Sequence, residues 1–545
     1  MWATALAVGL GGCYGGIQDG GGSDPGADGG ETDGADGGGG PGDPDADGNA
    51  VPLDCELGAK AKLRMLTRAE LDGSLQRVFG IAEPIAIATL PADPRVNGYV
   101  GSAEAALMTD VRLEQVLAVS LSVGETVRTD LAAYVPCAAA DPSPACARSY
   151  IEATLPRLYR RPVTNAEIEQ ILGVFTTDFD GVGGFEEGIA AATAAMVMSP
   201  AHLYRSELGE NGYLTTYEIA DLLAFTLTGA PPDDALSALA EGETLFDEDV
   251  RVEQARRLLA TERGRAHLVE FVWQWLELDE LAGISKADPA FTPEVLAQLQ
   301  ASLRRYIEHA LFEDDGTVET LLSARYTFAN ATLADVYGFA ADSETLTRVD
   351  TDDRPGLLAQ PGLLAAFAHP DGSSPVKRGA MVRERLLCQT LPPPPPTVDT
   401  NLPNDPGLDT TRARTEAHVS DPTCAGCHQL IDPLGYAFEN YDGLGRWRDL
   451  ENGVTVDASG EVSGTDRTDG TFTNLAGMVD LLAPSDDVQD CFAMNFHMVA
   501  MGAPTPYDDA CVPEDFLAST AQAEGNVAGA VARWIAQPAA IVRKD

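Results

Sequence analysis

From Leu63 to about Ala340, apolar residues recur every three to four positions, the spacing of helices that bury one face. Three helix starts are marked by a Thr followed three residues later by a Glu. They are Thr67 and Glu70 in LTRAELDGSLQRVFG, Thr164 and Glu167 in PVTNAEIEQILGVF, and Thr215 and Glu218 in LTTYEIADLLAFTL. This is the capping box, in which the hydroxyl and the carboxylate each take one backbone N–H that a first helical turn leaves without a partner. Ile168, Ile171, Leu172 and Phe175 continue the second of these at helical spacing. Further helices are predicted over 293–313 and over 375–388, where Ser374 and Pro375 supply a cap and a first-turn proline. Period-two alternation is scarce, and GVTVDASGEVSG at 453–464 is the best hairpin candidate. LPPPPPTVD at 391–399 reads as extended polyproline, a stiff spacer, because consecutive prolines bar a helix and remove donors. Trp273 and Trp275 lie two apart and do not share a helical face, so core and interface packing is expected rather than a sugar-stacking pair. The single histidines His202, His267, His309 and His369 read as structural. The predicted fold class is mainly α.

A chain of 545 residues exceeds what one core usually organises. The pattern divides it into a lipoprotein signal segment (1–13), a Gly/Asp-rich acidic tether (14–54) and helical modules at 55–135, 136–210 and 211–340. A module with the polyproline spacer and a CxxCH motif (341–465) and a C-terminal helical module (466–545) complete it. The 84 acidic against 36 basic residues leave a net charge of −48, which repels phosphate backbones and excludes nucleic acid as a partner.

The compartment is read from the first residues and the cysteines. MWATALAVGLGGC is apolar, too short to span a bilayer, and ends as lipoprotein cleavage sites do, with Cys13 as the lipid-bearing residue. The Gly, Asp and Pro that follow cannot form a core and behave as a tether. The expected location is the cell envelope (outer membrane or periplasm), exported, with the membrane reached through the lipid anchor only. Of nine cysteines, six remain after Cys13 and the CxxC pair are set aside, an even number suited to disulfides in an oxidising space. Cys137 and Cys146 flank a turn-rich loop and are the first candidate pair. Cys491 and Cys511 are the second, and Cys55 with Cys388 follows by elimination.

The chemistry concentrates in DPTCAGCHQLIDPLG, residues 421–435. Structural zinc needs four ligands, usually from two knuckles, and only one CxxC is present; a thioredoxin-like motif needs a βαβ setting that the flanks lack. Covalent haem needs only what is there: Cys424 and Cys427 as thioether attachment points and His428 as the proximal iron ligand. Zinc or a plain disulfide stays as the alternative. A carbonyl in Pro433-Leu434-Gly435 is expected to accept from the His428 ring N–H, and Arg446 and Arg448 are expected to pair with haem propionates. The distal position has His418, Met478 and Met498 as candidates. Met494, Met498 and Met501 recur at helical spacing beside His497, as core methionines also do.

RMLTRAELDGSLQRVFG, LYRRPVTNAEIEQIL, SPAHLYRSELG with LTTYEIADLLAFTLTGAPPDDAL, SSPVKRGAMVRERLLCQTLPPPPPTV and HVSDPTCAGCHQLIDPLGYAFENYDGLGRWRD follow one another along the chain. In that order they resemble the successive modules of a large group of exported proteins of planctomycetes and myxobacteria. That group is built from five consecutive domains of unknown function with a cytochrome-c-like CxxCH near the C-terminus. The resemblance implies a mainly α, multi-module protein with a C-terminal haem module, haem c bound covalently at Cys424, Cys427 and His428, and a recurrent upstream histidine at His418. It also marks a departure, since Ala503 stands where relatives carry an arginine. The expected function is electron transfer to a redox partner protein. A peroxidase-like haem enzyme and a surface scaffold binding polysaccharide are the alternatives. No Ser-His-Asp triad or phosphate-cradling loop is recognisable.

Overall fold

The computed structural model describes residues 59–544, apart from Val182, 340–341, 392–402, Asn404, 420–421 and 503–510, and apart from the side chains of 422–424, 511–516 and Lys544. The expectations for Cys13, the tether, Cys55, the polyproline run, Ala503 and the side chains of Cys424 and Cys511 lie outside the described residues.

The fold is mainly α. All three capping boxes form. Thr67 caps Arg68–Phe79, Thr164 caps Asn165–Phe179 and Thr215 caps Thr216–Thr228, and in each case the Glu carboxylate receives the cap residue's own N–H. The box is a contact three residues long, which is why it survives the passage from sequence to fold. The long helix predicted over 293–313 spans Pro293–Phe312. The one predicted over 375–388 runs as an α-helix over Pro375–Met381 and continues as a π-turn, Val382–Leu386. The candidate hairpin at 453–464 divides between two hairpins. Val454–Thr455 pairs back onto Leu450–Glu451 around a turn with positive φ at Asn452 and Gly453, and Gly460–Val462 pairs forward with Gly470–Phe472. The Asn-Gly pair, which favours a tight primed turn, sets the first register.

Apolar faces close on two main cores. One gathers Leu66, Leu75, Val123, Ile151, Phe175 and Ile189 from the first two modules. The larger gathers Leu223, Trp275, Tyr306, Leu363, Phe438, Phe492 and Trp534, so elements from 214 to 541 share one interior. Trp273 and Trp275 are both buried; Arg304 lies over the Trp273 ring and the Trp275 Nε1 donates to the Arg385 carbonyl at 2.6 Å. Two short sheets tie distant segments. Lys62–Met65 pairs antiparallel with Tyr204–Glu207, and Ala59–Lys60 pairs parallel with Arg543–Lys544 near the other end of the chain. Among the described residues, no helix is long and apolar enough to cross a membrane.

Cys137 and Cys146 form a disulfide across their loop. The second pairing differs from expectation: Cys491 is bonded to Cys388, with 5.4 Å between the Cα atoms, so neither Cys491–Cys511 nor Cys55–Cys388 forms. The reason is tertiary. The π-turn brings the end of the 375–386 segment against the helix Asp486–Met501, a juxtaposition 103 residues apart that local turn chemistry does not reveal.

One buried histidine sets a pH limit. His202 is fully buried, its Nε2 on the Ser74 hydroxyl at 2.9 Å and its Nδ1 on the Val197 carbonyl at 2.7 Å. Burial, with the Arg160 charge nearby, pushes it down from 6.5 to about 3. Between those values the unfolded chain binds a proton that the native chain does not, so stability falls as pH drops below 6.5. Urea unfolding at pH 7.5 and pH 5.5 should differ by about 1 kcal/mol from this group alone. His202→Gln should remove that part of the difference.

Candidate functional site

The CxxCH motif opens a helix, Pro422–Tyr436, that runs through Pro433. A segment upstream holds this helix by backbone contact. A Cβ at Gly435 would lie 2.0 Å from the Pro375 carbonyl oxygen and one at Gly379 2.1 Å from that of Ile431, so the helix Pro375–Met381 crosses at a distance only glycine permits. Two buried arginines of the same segment fasten the surroundings. Arg378 donates to the carbonyls of Leu364, Phe438, Tyr441 and Asp442, and Arg383 to those of Leu430 and Ser463. They fix the exit of the CxxCH helix through carbonyl oxygens rather than carboxylates.

Cys427 is a free, half-buried thiol. His428 follows it, and the structure corrects the expectation for its ring. The acceptor of the Nδ1–H is the Asp432 carboxylate, at 3.0 and 3.1 Å, rather than a carbonyl of 433–435. Asp432 stands one turn on along the same helical face and is 3% exposed. Its hydrogen bond raises the His428 imidazole above its ordinary value and assigns the tautomer with Nε2 unprotonated in the neutral ring. The sequence carried this signal in the His-x-x-x-Asp spacing, which is hidden because Pro433 reads as the end of the helix.

The second imidazole comes from the helix Thr411–His418. Thr411 donates its N–H at 2.8 Å and its hydroxyl at 2.6 Å to buried Glu451, and Arg412 lies 4.2 Å from the Tyr436 ring centre. This places the His418 ring 5.5 Å from that of His428, centre to centre. Met478 and Met498, the other distal candidates, are buried in the apolar core, where the Met498 sulfur accepts from the Asn97 amide at 3.8 Å.

Arg446 and Arg448 both pair with carboxylates. Arg446 pairs with Asp442 and Asp288, and Arg448 with Glu439 and Glu451. Glu439 is buried, and burial pushes its carboxyl up to about 7 against the pull of Arg448 and Arg378. The two arginines pin the loop after the CxxCH helix, and neither offers a guanidinium free of carboxylate partners.

The donor set fits a covalently attached haem: a thiol outside any disulfide, an imidazole with Nδ1 anchored, and a second imidazole beside the first. For zinc, no three His, Cys, Asp or Glu side chains converge among the described residues.

Four family models match successive stretches of the chain, all described as proteins of unknown function. They are PSD3 (DUF1587) at 64–129, PSD5 (DUF1595) at 146–207, PSD4 (DUF1592) at 214–339 and PSCyt3 (DUF1588) at 354–451, the last containing Cys424, Cys427 and His428. The chain thus has the multi-domain architecture of these four families in that order. No curated protein and no solved structure matches it.

Proposed function

We propose that this chain, which matches four successive domains of unknown function of which PSCyt3 is the last, is a c-type haem protein that transfers electrons at the cell envelope. One observation carries the reading: His428, its Nδ1 held by buried Asp432, directly follows a free thiol and faces a second imidazole, His418. The name PSCyt3 points the same way. Cys424 and Cys427 would hold haem c through thioethers, His428 would ligate through Nε2, and His418 would take the opposite side. The haem supplies a one-electron couple at iron when bound. The chain's own part is to fix the imidazole orientation through Asp432 and to hold the helix through Gly379, Gly435, Arg378 and Arg383. Export, lipid attachment at Cys13 and a redox partner protein belong to the same proposal.

A peroxidase-like activity is the second reading, and Asp432 favours it. A carboxylate behind the proximal imidazole raises the basicity of the ligand, which helps an iron site that cleaves peroxide. His418 would argue against it, because if it held the iron it would close the position peroxide needs.

The test is an absorbance spectrum and a pyridine haemochrome assay on protein made in a host with haem-maturation machinery. A reduced α-band of a doubly thioether-linked haem that survives acid–acetone extraction is expected, with no change on adding carbon monoxide. A colourless protein would sink the haem reading. Ready carbon monoxide binding would transfer the site to the peroxidase-like alternative.

A further inference from the structure

Away from the CxxCH helix, the junction of the second and third modules holds a cleft of about 640 Å³. It shares Arg160, Arg161, Pro162 and Tyr217 with a second cleft of about 490 Å³ lined by Arg77, Arg157 and Asp234, so the two adjoin as one groove. Tyr159, Tyr204 and Tyr217 line the first cleft, and Leu63 and Leu208 stand half exposed at its edge.

Asp221 also lines this cleft and is 6% exposed. Its Oδ2 accepts from Arg160 Nε at 2.9 Å, but its Oδ1 is buried with no hydrogen-bond partner. A buried carboxylate oxygen without a donor is costly, and a ligand that brings one relieves that cost. The neighbouring groups are spent. Arg160 gives its remaining donors to the carbonyls of Leu158, Ala201, His202 and Tyr204. Glu218 accepts from Ser206, Thr215 and the N–H groups of Leu208 and Gly209.

These facts select the ligand chemistry. Arg160 and Glu218 take backbone groups of residues 204, 208 and 209, which leaves little strand edge for an extended peptide to pair with. Four arginines are offset by Glu210, Glu218, Asp221, Asp234 and Glu241, so in a chain of net charge −48 this groove is close to neutral and attracts neither a polyanion nor a polycation strongly. What fits is an uncharged, hydroxyl-rich chain with apolar ring faces: hydroxyls for Asp221, ring faces for the tyrosines.

We propose that this groove binds a neutral oligosaccharide, one sugar hydroxyl donating to Asp221 Oδ1 and adjacent rings packing on Tyr217 and Tyr204. The site is independent of the haem reading and stands or falls without it.

The experiment is calorimetric titration of the full chain with neutral β-linked glucan, xylan and mannan hexasaccharides, and with an oligouronate, each to millimolar concentration. Binding of at least one neutral oligosaccharide is expected, weakened roughly tenfold or more by Tyr217→Ala, a partly buried residue whose loss leaves the Arg160–Asp221 pair in place. Asp221→Asn, checked for folding by circular dichroism, should weaken it further. No binding to any neutral oligosaccharide, binding to the oligouronate alone, or affinity unchanged in Tyr217→Ala would overturn the proposal. Selection from a peptide library of a ligand lost in Tyr217→Ala, with no glycan bound, would overturn it in favour of a peptide site.

Discussion

Replacing Glu207 by alanine should destabilise the protein by about 3–5 kcal/mol, the cost of breaking a buried ion pair and leaving its partners without counter-charge. Glu207 is 1% exposed and sits among four cations. Arg64 lies at 3.4 Å, Arg205 at 3.7 Å and Arg543 at 3.3 Å, with Lys62 on the paired strand residue. Glu70, 3.5 Å from Arg205, is the other carboxylate in the cluster. Burial works against the Glu207 charge, yet Arg64, Arg205, Lys62 and Arg543 together hold its carboxyl below the ordinary value. The cations show the strain of crowding: burial pushes Lys62 down to about 8 and Arg64 to about 10. Without Glu207 the remaining charges repel one another where Arg64, Arg205 and Arg543 are buried. The loss also reaches the C-terminal module. Arg64 donates to the carbonyls of Val499 and Ala500 at the end of the helix Asp486–Met501, and Arg543 belongs to the strand that pairs with Ala59–Lys60. Urea unfolding of Glu207→Ala against the wild type measures the cost. A loss under 1 kcal/mol would mean that water or a shifted Glu70 replaces the carboxylate.

How far the sequence disclosed this arrangement depends on the reach of each contact. Thr67, Thr164 and Thr215 announced their helices because a capping box closes within three residues. Cys137 and Cys146 were legible for the same reason, being separated by nine residues around a turn. Cys388 and Cys491 were not, since their meeting requires the π-turn and the final packing of a helix 103 residues away. Arg446 shows a mixed case. Its pairing with Asp442 is local and readable in YDGLGRW, whereas Asp288 reaches it from another module. The Glu207 cluster was invisible, because its members lie at 62, 64, 70, 205, 207 and 543 and each alone reads as an ordinary surface charge.

If the chain carries haem as proposed, Asp432→Asn should raise its midpoint potential by roughly 60–120 mV. The size follows from two magnitudes: removing a partner behind a metal-bound histidine typically changes metal affinity about 10- to 100-fold, and each tenfold change between oxidation states is about 59 mV for one electron. The sign follows from charge. The Asp432 carboxylate accepts from His428 Nδ1 at 3.0 Å within a buried pocket, so it makes the opposite nitrogen a stronger donor and adds negative charge near the metal. Both effects favour the more positive, oxidised iron and lower the potential. Asparagine keeps an acceptor of nearly the same shape and removes the charge, which shifts the balance towards the reduced state. A spectroelectrochemical titration at pH 7 reads the shift, and a haemochrome assay on the same sample shows that attachment through Cys424 and Cys427 is intact. An unchanged potential at full haem content would reduce Asp432 to a packing residue. The proposed iron's potential would then be set elsewhere, and His418→Met tests His418, because replacing a bound imidazole by a thioether raises the potential.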